Sequence, residues 1–110
     1  MISDKQAEIL GHLLTGGEIR LRRGGFFDSY ENRVDGRSLI GLNKRKLLQI
    51  SATKTMPSIG HINSPIFYDD GVTEEGRNAL KKYLKSVSFI KKFNTEWMKR
   101  AGRILGDTEA

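Results

Sequence analysis

Two hydrophobic periods follow one another near the start of this chain. Ala7, Leu10 and Leu14 recur at helical spacing, flanked by Ile9 and Leu13. Glu18-Ile19-Arg20-Leu21-Arg22 then alternates apolar and basic residues with a period of two, as a half-buried strand does. A chain that switches period in this way mixes helix and sheet, and the expected fold class is α+β with small antiparallel hairpins.

Local signals set the element boundaries. Ser3-Asp4-Lys5-Gln6 has the Ser-x-x-Gln form of a capping box with Ile2 as staple, and Thr15-Gly16-Gly17 stops the helix, predicting it over 4–14. Gly11 inside it costs on the order of 1 kcal/mol relative to alanine, so this helix depends on packing. Gly24-Gly25 ends the first strand, and Phe26-Phe27 opens a second extended stretch reaching Val34. Asp35-Gly36 reads as a two-residue hairpin turn, with 37–40 as the returning strand. Asn43 is placed to cap a short helix over 44–50 with Leu47, Leu48 and Ile50 inward. Strands are expected over 52–56 and 66–68, around a loop at 57–64. Thr73 caps the next helix, with Glu74 and Glu75 at its positive end. Its apolar face is Ala79, Leu80, Tyr83, Leu84, Val87 and Ile90. After a break at 93–95, a last helix carries Trp97, Ala101, Ile104 and Leu105 on one side, Gly106 ends it, and 107–110 are expected to be disordered.

Composition removes whole classes of chemistry. The 110 residues make one domain, or one domain with a helical tail. With no cysteine there is no disulfide, thiolate zinc site or thiol nucleophile, and two histidines do not suffice for a transition-metal site. No cofactor is expected. Apolar runs are two or three residues long, so no membrane span is expected, and the first residues lack a signal core, so a cytoplasmic protein is expected. The carboxylates Asp69-Asp70 and Glu74-Glu75 read as a turn and a helix cap, His12 as a surface residue, and no motif places a nucleophile. The chain is not expected to be an enzyme.

The net charge of +6 points to an anionic partner, and its placement matters more than its size. Residues 1–42 hold six basic and six acidic side chains and sum to zero, 43–70 contribute +2, and 71–110 contribute +4. Four groups of residues are candidates for binding. Lys44, Arg45 and Lys46 follow Asn43 at the expected helix start, where cations oppose the dipole and a phosphate would relieve the cost. Arg20, Arg22 and Arg23 precede a Gly-Gly turn and two phenylalanines, at least one of which is expected in the core. Lys54 precedes the loop of the later hairpin and His61 lies in its tip. The lysine-rich C-terminal helices are either a solvated basic face or a dimer interface through Phe93, Trp97, Ala101 and Ile104.

The segment Phe67-Tyr68-Asp69-Asp70-Gly71-Val72-Thr73-Glu74-Glu75-Gly76-Arg77 resembles the junction between wing and following helix in bacterial and phage winged helix-turn-helix domains, with Val72 through Arg77 matching the apolar-Thr-acidic-acidic-Gly-Arg turn. Residues 3–14 resemble their opening helix, and the resemblance covers roughly 3–85. It implies a winged-helix-like domain over 1–90, with 91–110 as a C-terminal helix and disordered tail. It further implies a recognition helix over 43–51 and a wing over 53–68. The chain departs from the family where a second helix should precede the recognition helix, because 18–42 reads as strands.

On this reading the chain is a small regulator of transcription that binds double-stranded DNA. Its DNA-binding residues are then Arg20, Arg22, Arg23, Asn43, Lys44, Arg45, Lys46, Lys54 and His61. Six phosphate contacts would imply about a thousand-fold loss of affinity between 50 and 200 mM salt. The alternative is a protein-interaction module, such as a phage-encoded or mobile-element-encoded inhibitor docking on an acidic host surface. A third reading pairs the C-terminal helices into a homodimer. Contact of these helices with anionic lipid ranks last.

Overall fold

The computed structural model describes residues 1–22, 24–49, 55–58, 61–67 and 71–106; for Arg22 and the strands within 55–67 it describes backbone and pairing. The fold is α+β.

Helix α1, Asp4–Leu14, opens on the expected capping box. Ser3 Oγ accepts from the Gln6 amide and Gln6 Oε1 accepts from the Ser3 amide, both at 3.1 Å. Ala7, Ile9, Leu10, Leu13 and Leu14 are buried, and Ile2 packs into the same core. Gly11 is buried too, because the indole ring of Trp97 occupies the space a side chain there would fill.

Strands β1 (Ile19–Arg22) and β2 (Gly25–Asp28) pair antiparallel, Ile19 opposite Asp28 and Leu21 opposite Phe26. The second extended stretch is interrupted before Val34. Asp28 Oδ1 accepts from the amides of Tyr30 and Asn32, closing a turn from which β3 (Arg33–Val34) returns along β2. Phe26 packs against the core, as expected of one of the two phenylalanines.

The returning strand at 37–40 does not form. Helix α2, Gly36–Lys44, occupies that stretch. A two-residue hairpin turn of the kind Asp-Gly favours needs positive φ at both residues, whereas Asp35 sits at φ −65°. Its carboxylate instead accepts from the Ser38 amide at 3.0 Å and the Ser38 hydroxyl at 2.6 Å, making Asp35 an N-cap. Leu39 and Leu42, three apart, then bury one face of the helix.

The expected helix over 44–50 is also absent among the described residues: α2 ends at Lys44, with Arg45 as its C-cap. Lys46 takes a left-handed φ of 60°, its amide donates to the Asn43 carbonyl, and the Leu47 amide donates to the Leu42 carbonyl. These two bonds make a Schellman motif, closed by the buried pair Leu42 and Leu47. Asn43 is therefore in the last turn of a helix and caps nothing.

Strands β4 (Thr55–Ser58) and β5 (His61–Phe67) form a hairpin tighter than the expected eight-residue loop, with Ser58 opposite His61. Ile19 pairs with Phe67 and Arg20 with Ile66, giving the sheet order β3-β2-β1-β5-β4.

Helix α3, Glu74–Ser86, starts on the Thr73 cap as expected. It stops before Ile90, which lies on α4, Phe89–Asn94, behind a Ser88 cap. Helix α5, Glu96–Ile104, follows, and its Met98 and Ala101 together with Leu105 join the core built by α1 and α3. Helix α5 therefore packs on the helical core, whereas α4 buries none of its residues.

Candidate functional site

Helix α2 puts different chemistry on its two faces. Leu39 and Leu42 are buried. Arg37, Ile40, Asn43 and Lys44 are exposed; Arg37, Ile40 and Lys44, at i, i+3 and i+7, share one outward stripe, and Asn43 stands at its edge. Ile40, 51% exposed, is the apolar member of this face. The nine-residue helix is roughly 13 Å long, so the stripe runs its whole length.

At its end the exposed stripe runs into Arg45 and Lys46, both also exposed. The basic triplet thus stands at the negative end of a helix, where cations stabilise the dipole. This reverses the expectation that Lys44, Arg45 and Lys46 oppose it. The left-handed backbone of Lys46 costs about 1–2 kcal/mol in a non-glycine residue. The turn is held against the start of α3 by three bonds, and a fourth caps α3 on the same Thr73 hydroxyl. Thr73 Oγ1 donates to the Lys46 carbonyl at 2.8 Å and the Thr73 amide to the Leu47 carbonyl at 3.1 Å. The Gln49 amide donates to the Gly71 carbonyl at 2.8 Å, and the Gly76 amide to Thr73 Oγ1 at 3.0 Å. Gly76 must be glycine because the Leu47 carbonyl lies against its Cα. The Val72–Arg77 motif therefore works as a clamp on the basic turn. At the other end of α2, the Ser38 bonds hold the Asp35 carboxyl below the usual carboxylate range.

The remaining basic candidates are less well placed. Arg20 Nε donates to Glu18 Oε1 at 2.6 Å, in an ion pair within the hairpin, so it is engaged and not a free phosphate clamp. Arg22 ends β1 and His61 begins β5, but their side chains lie outside the described residues, as do Arg23 and Lys54 altogether. The strand register puts the Arg22 end of β1 away from Phe67, whereas the 45–49 turn is bonded to residues 71–73 just beyond Phe67.

The proposed dimer set divides in two. Ala101 is fully buried within this chain, and Trp97 is half-buried with its ring against Gly11. The apolar stripe of α5 has its partner in α1. Phe93 and Ile104 remain outside, 62% and 49% exposed.

Two features were missed in the sequence. His12 is half-buried and ties α1 to the hairpin, its Nε2 lying 3.3 Å from both the Glu18 carbonyl and Ser29 Oγ. Beside it a cleft of about 600 Å³ is lined by Lys5, Glu8, Asp28, Arg33 and Asp35 among others. Its charges are of both signs, and Asp28 and Asp35 are spent on capping a turn and a helix. Among the described residues no group of three His, Asp or Glu side chains is placed to hold a metal ion, and no helix is long and apolar enough to cross a membrane.

Compared with family models, with curated proteins and with solved structures, the chain has no match.

Proposed function

We propose that this chain binds double-stranded DNA as a small regulator, with the outward stripe of α2 in the major groove and the β4–β5 hairpin as a wing. The observation that carries the reading is the row Arg37, Ile40, Asn43 and Lys44, exposed on one face and continuous with Arg45 and Lys46. Those side chains suit base and backbone readout together. Arginine and lysine neutralise phosphates, arginine also pairs bidentately with guanine, asparagine pairs with adenine, and an apolar side chain meets the thymine methyl.

The order of elements supports the same reading. Helix α2 lies between β1 and the β4–β5 hairpin, β5 pairs with β1, and α3 follows the hairpin. Apart from the family's second helix, this is the order that the winged-helix resemblance implies, and the reading moves the recognition helix from 43–51 to Gly36–Lys44. The β2–β3 hairpin stands where the family has its second helix. The strained backbone at Lys46 fits a site at which a side chain is kept for contact where glycine would be more stable.

Charge reversal tests the assignment to α2. Arg37→Glu with Lys44→Glu should weaken duplex binding by about tenfold or more in a polarisation assay. Lys81→Glu with Lys85→Glu, on α3, should leave most of it. Equal losses in the two variants would reduce the stripe to a general charge effect and overturn its role.

A further inference from the structure

Helix α4 buries none of its residues. Phe89, Ile90 and Phe93 are 78%, 71% and 62% exposed, on a helix of six residues. Grouped exposure of three large apolar side chains marks an interaction surface more often than an ordinary one. The rings of Phe89 and Phe93 stack at 6.2 Å with 27° between their planes, and Lys99 Nζ lies 5.4 Å above the Phe93 ring. The three side chains thus form one contiguous patch with Lys99 at its edge.

The charge around it identifies the occupant. Lys91, Lys92, Lys99, Arg100 and Arg103 lie on α4 and α5 against the single carboxylate of Glu96. That carboxylate is engaged by Lys99 at 3.4 Å and Arg100 at 3.7 Å, so the outward field is positive. A second copy of the chain would bring like charges together, which costs several kcal/mol when they are juxtaposed. A nucleobase needs an open ring face, and Phe93 is stacked on one side and overlain by Lys99. Three side chains on one short helix also give little apolar area to hold a bilayer. We infer that the α4 surface docks an acidic protein segment whose apolar side chains pack on Phe89, Ile90 and Phe93 while its carboxylates meet the lysines.

This site is separate from α2, so it stands or falls independently of DNA binding. The test uses the full chain and a labelled short peptide in which glutamate alternates with leucine and tryptophan. A glutamate–serine peptide of equal charge, vesicles of phosphatidylserine and phosphatidylcholine, and sedimentation of the protein alone accompany it. The apolar acidic peptide should bind, and the serine peptide should bind about tenfold more weakly or worse. Phe89→Ser with Phe93→Ser, and separately Lys91→Glu with Lys92→Glu, should each reduce binding by a similar factor while leaving duplex affinity within about twofold. The charge-reversed variant keeps every apolar side chain, so it tests the surface even where the serine variant is unstable. Unchanged peptide binding in the charge-reversed variant overturns the inference. Preferential capture on the vesicles, or self-association abolished by the serine variant, overturns it in favour of a lipid surface or a second copy.

Discussion

The indole of Trp97 lies in the space that a side chain on Gly11 would fill, and this contact joins the last helix of the chain to the first. A glycine in mid-helix is a local loss, and here the loss is offset by seating the largest side chain of the protein. Ala101 and Met98 enter the core beside it, which is why α5 belongs to the domain.

Gly11→Ala is therefore expected to destabilise the protein by about 1–3 kcal/mol, despite the better helix propensity of alanine. In a Trp97→Ala background the same change should be neutral or stabilise by up to roughly 1 kcal/mol, since only propensity is left. A double-mutant cycle by chemical denaturation measures both. Equal effects in the two backgrounds would contradict the contact.

At Lys46 the backbone and the side chain make opposite demands. Lys46→Gly should raise stability by roughly 0.5–1 kcal/mol, because glycine adopts the left-handed region freely. The same substitution should lower duplex affinity by removing a phosphate contact. A rise in melting temperature with a fall in affinity is the expected pair of results, and a fall in both would contradict the role given to the strained turn.

The clamp at the head of α3 predicts two losses of different origin. Thr73→Ala removes the cap and the bond to the Lys46 carbonyl, and should cost about 1–2 kcal/mol. Gly76→Ala places a methyl group against the Leu47 carbonyl, which as backbone cannot move away cheaply, and should cost about 1–3 kcal/mol. Thermal unfolding reads both, and stabilisation by the Gly76 change would refute the close approach.

Alkaline stability should depend on one phenol. Tyr83 is buried and donates to Asp4 Oδ1 at 2.6 Å. Burial, then the bond to Asp4 and the nearby charges of Asp4 and Glu8, push its pKa up to about 12. A phenol with a higher pKa folded than unfolded stabilises the fold while it is protonated. The contribution is present below pH 10, and is lost as pH rises toward about 12. The loss is on the order of 2–3 kcal/mol at completion. Unfolding curves between those pH values should show it for the native protein and not for Tyr83→Phe.

Much of the helical framework was legible because its signals are local. Ser3 with Gln6, and Thr73 with Glu74 and Glu75, announce α1 and α3 within four residues each. Helix α2 was hidden because Asp-Gly serves both hairpin turns and helix caps, and only Leu39 and Leu42 mark its buried face. Ser38, placed to donate to Asp35, was the local sign that favoured the cap. The basic triplet was assigned to a helix start and not an end, since the residue in the left-handed position is lysine and no glycine flags it. The packing of Trp97 and Ala101 on α1 is not legible locally because their receiving groove, at Gly11, lies at the far end of the chain. Capping is written in adjacent residues, whereas a groove for a distant helix is written only in the packed fold.

The central claim, that α2 and the turn after it neutralise DNA phosphates, is tested most directly by the salt dependence of duplex binding. Arg37, Lys44, Arg45 and Lys46 all engaging phosphates would give a slope of log K against log salt near −4, from about −0.9 per contact. The account predicts a slope of that size for the native chain, reduced by roughly two in Arg37→Glu with Lys44→Glu. Absence of binding at about 50 mM salt, or a slope near zero, would contradict it.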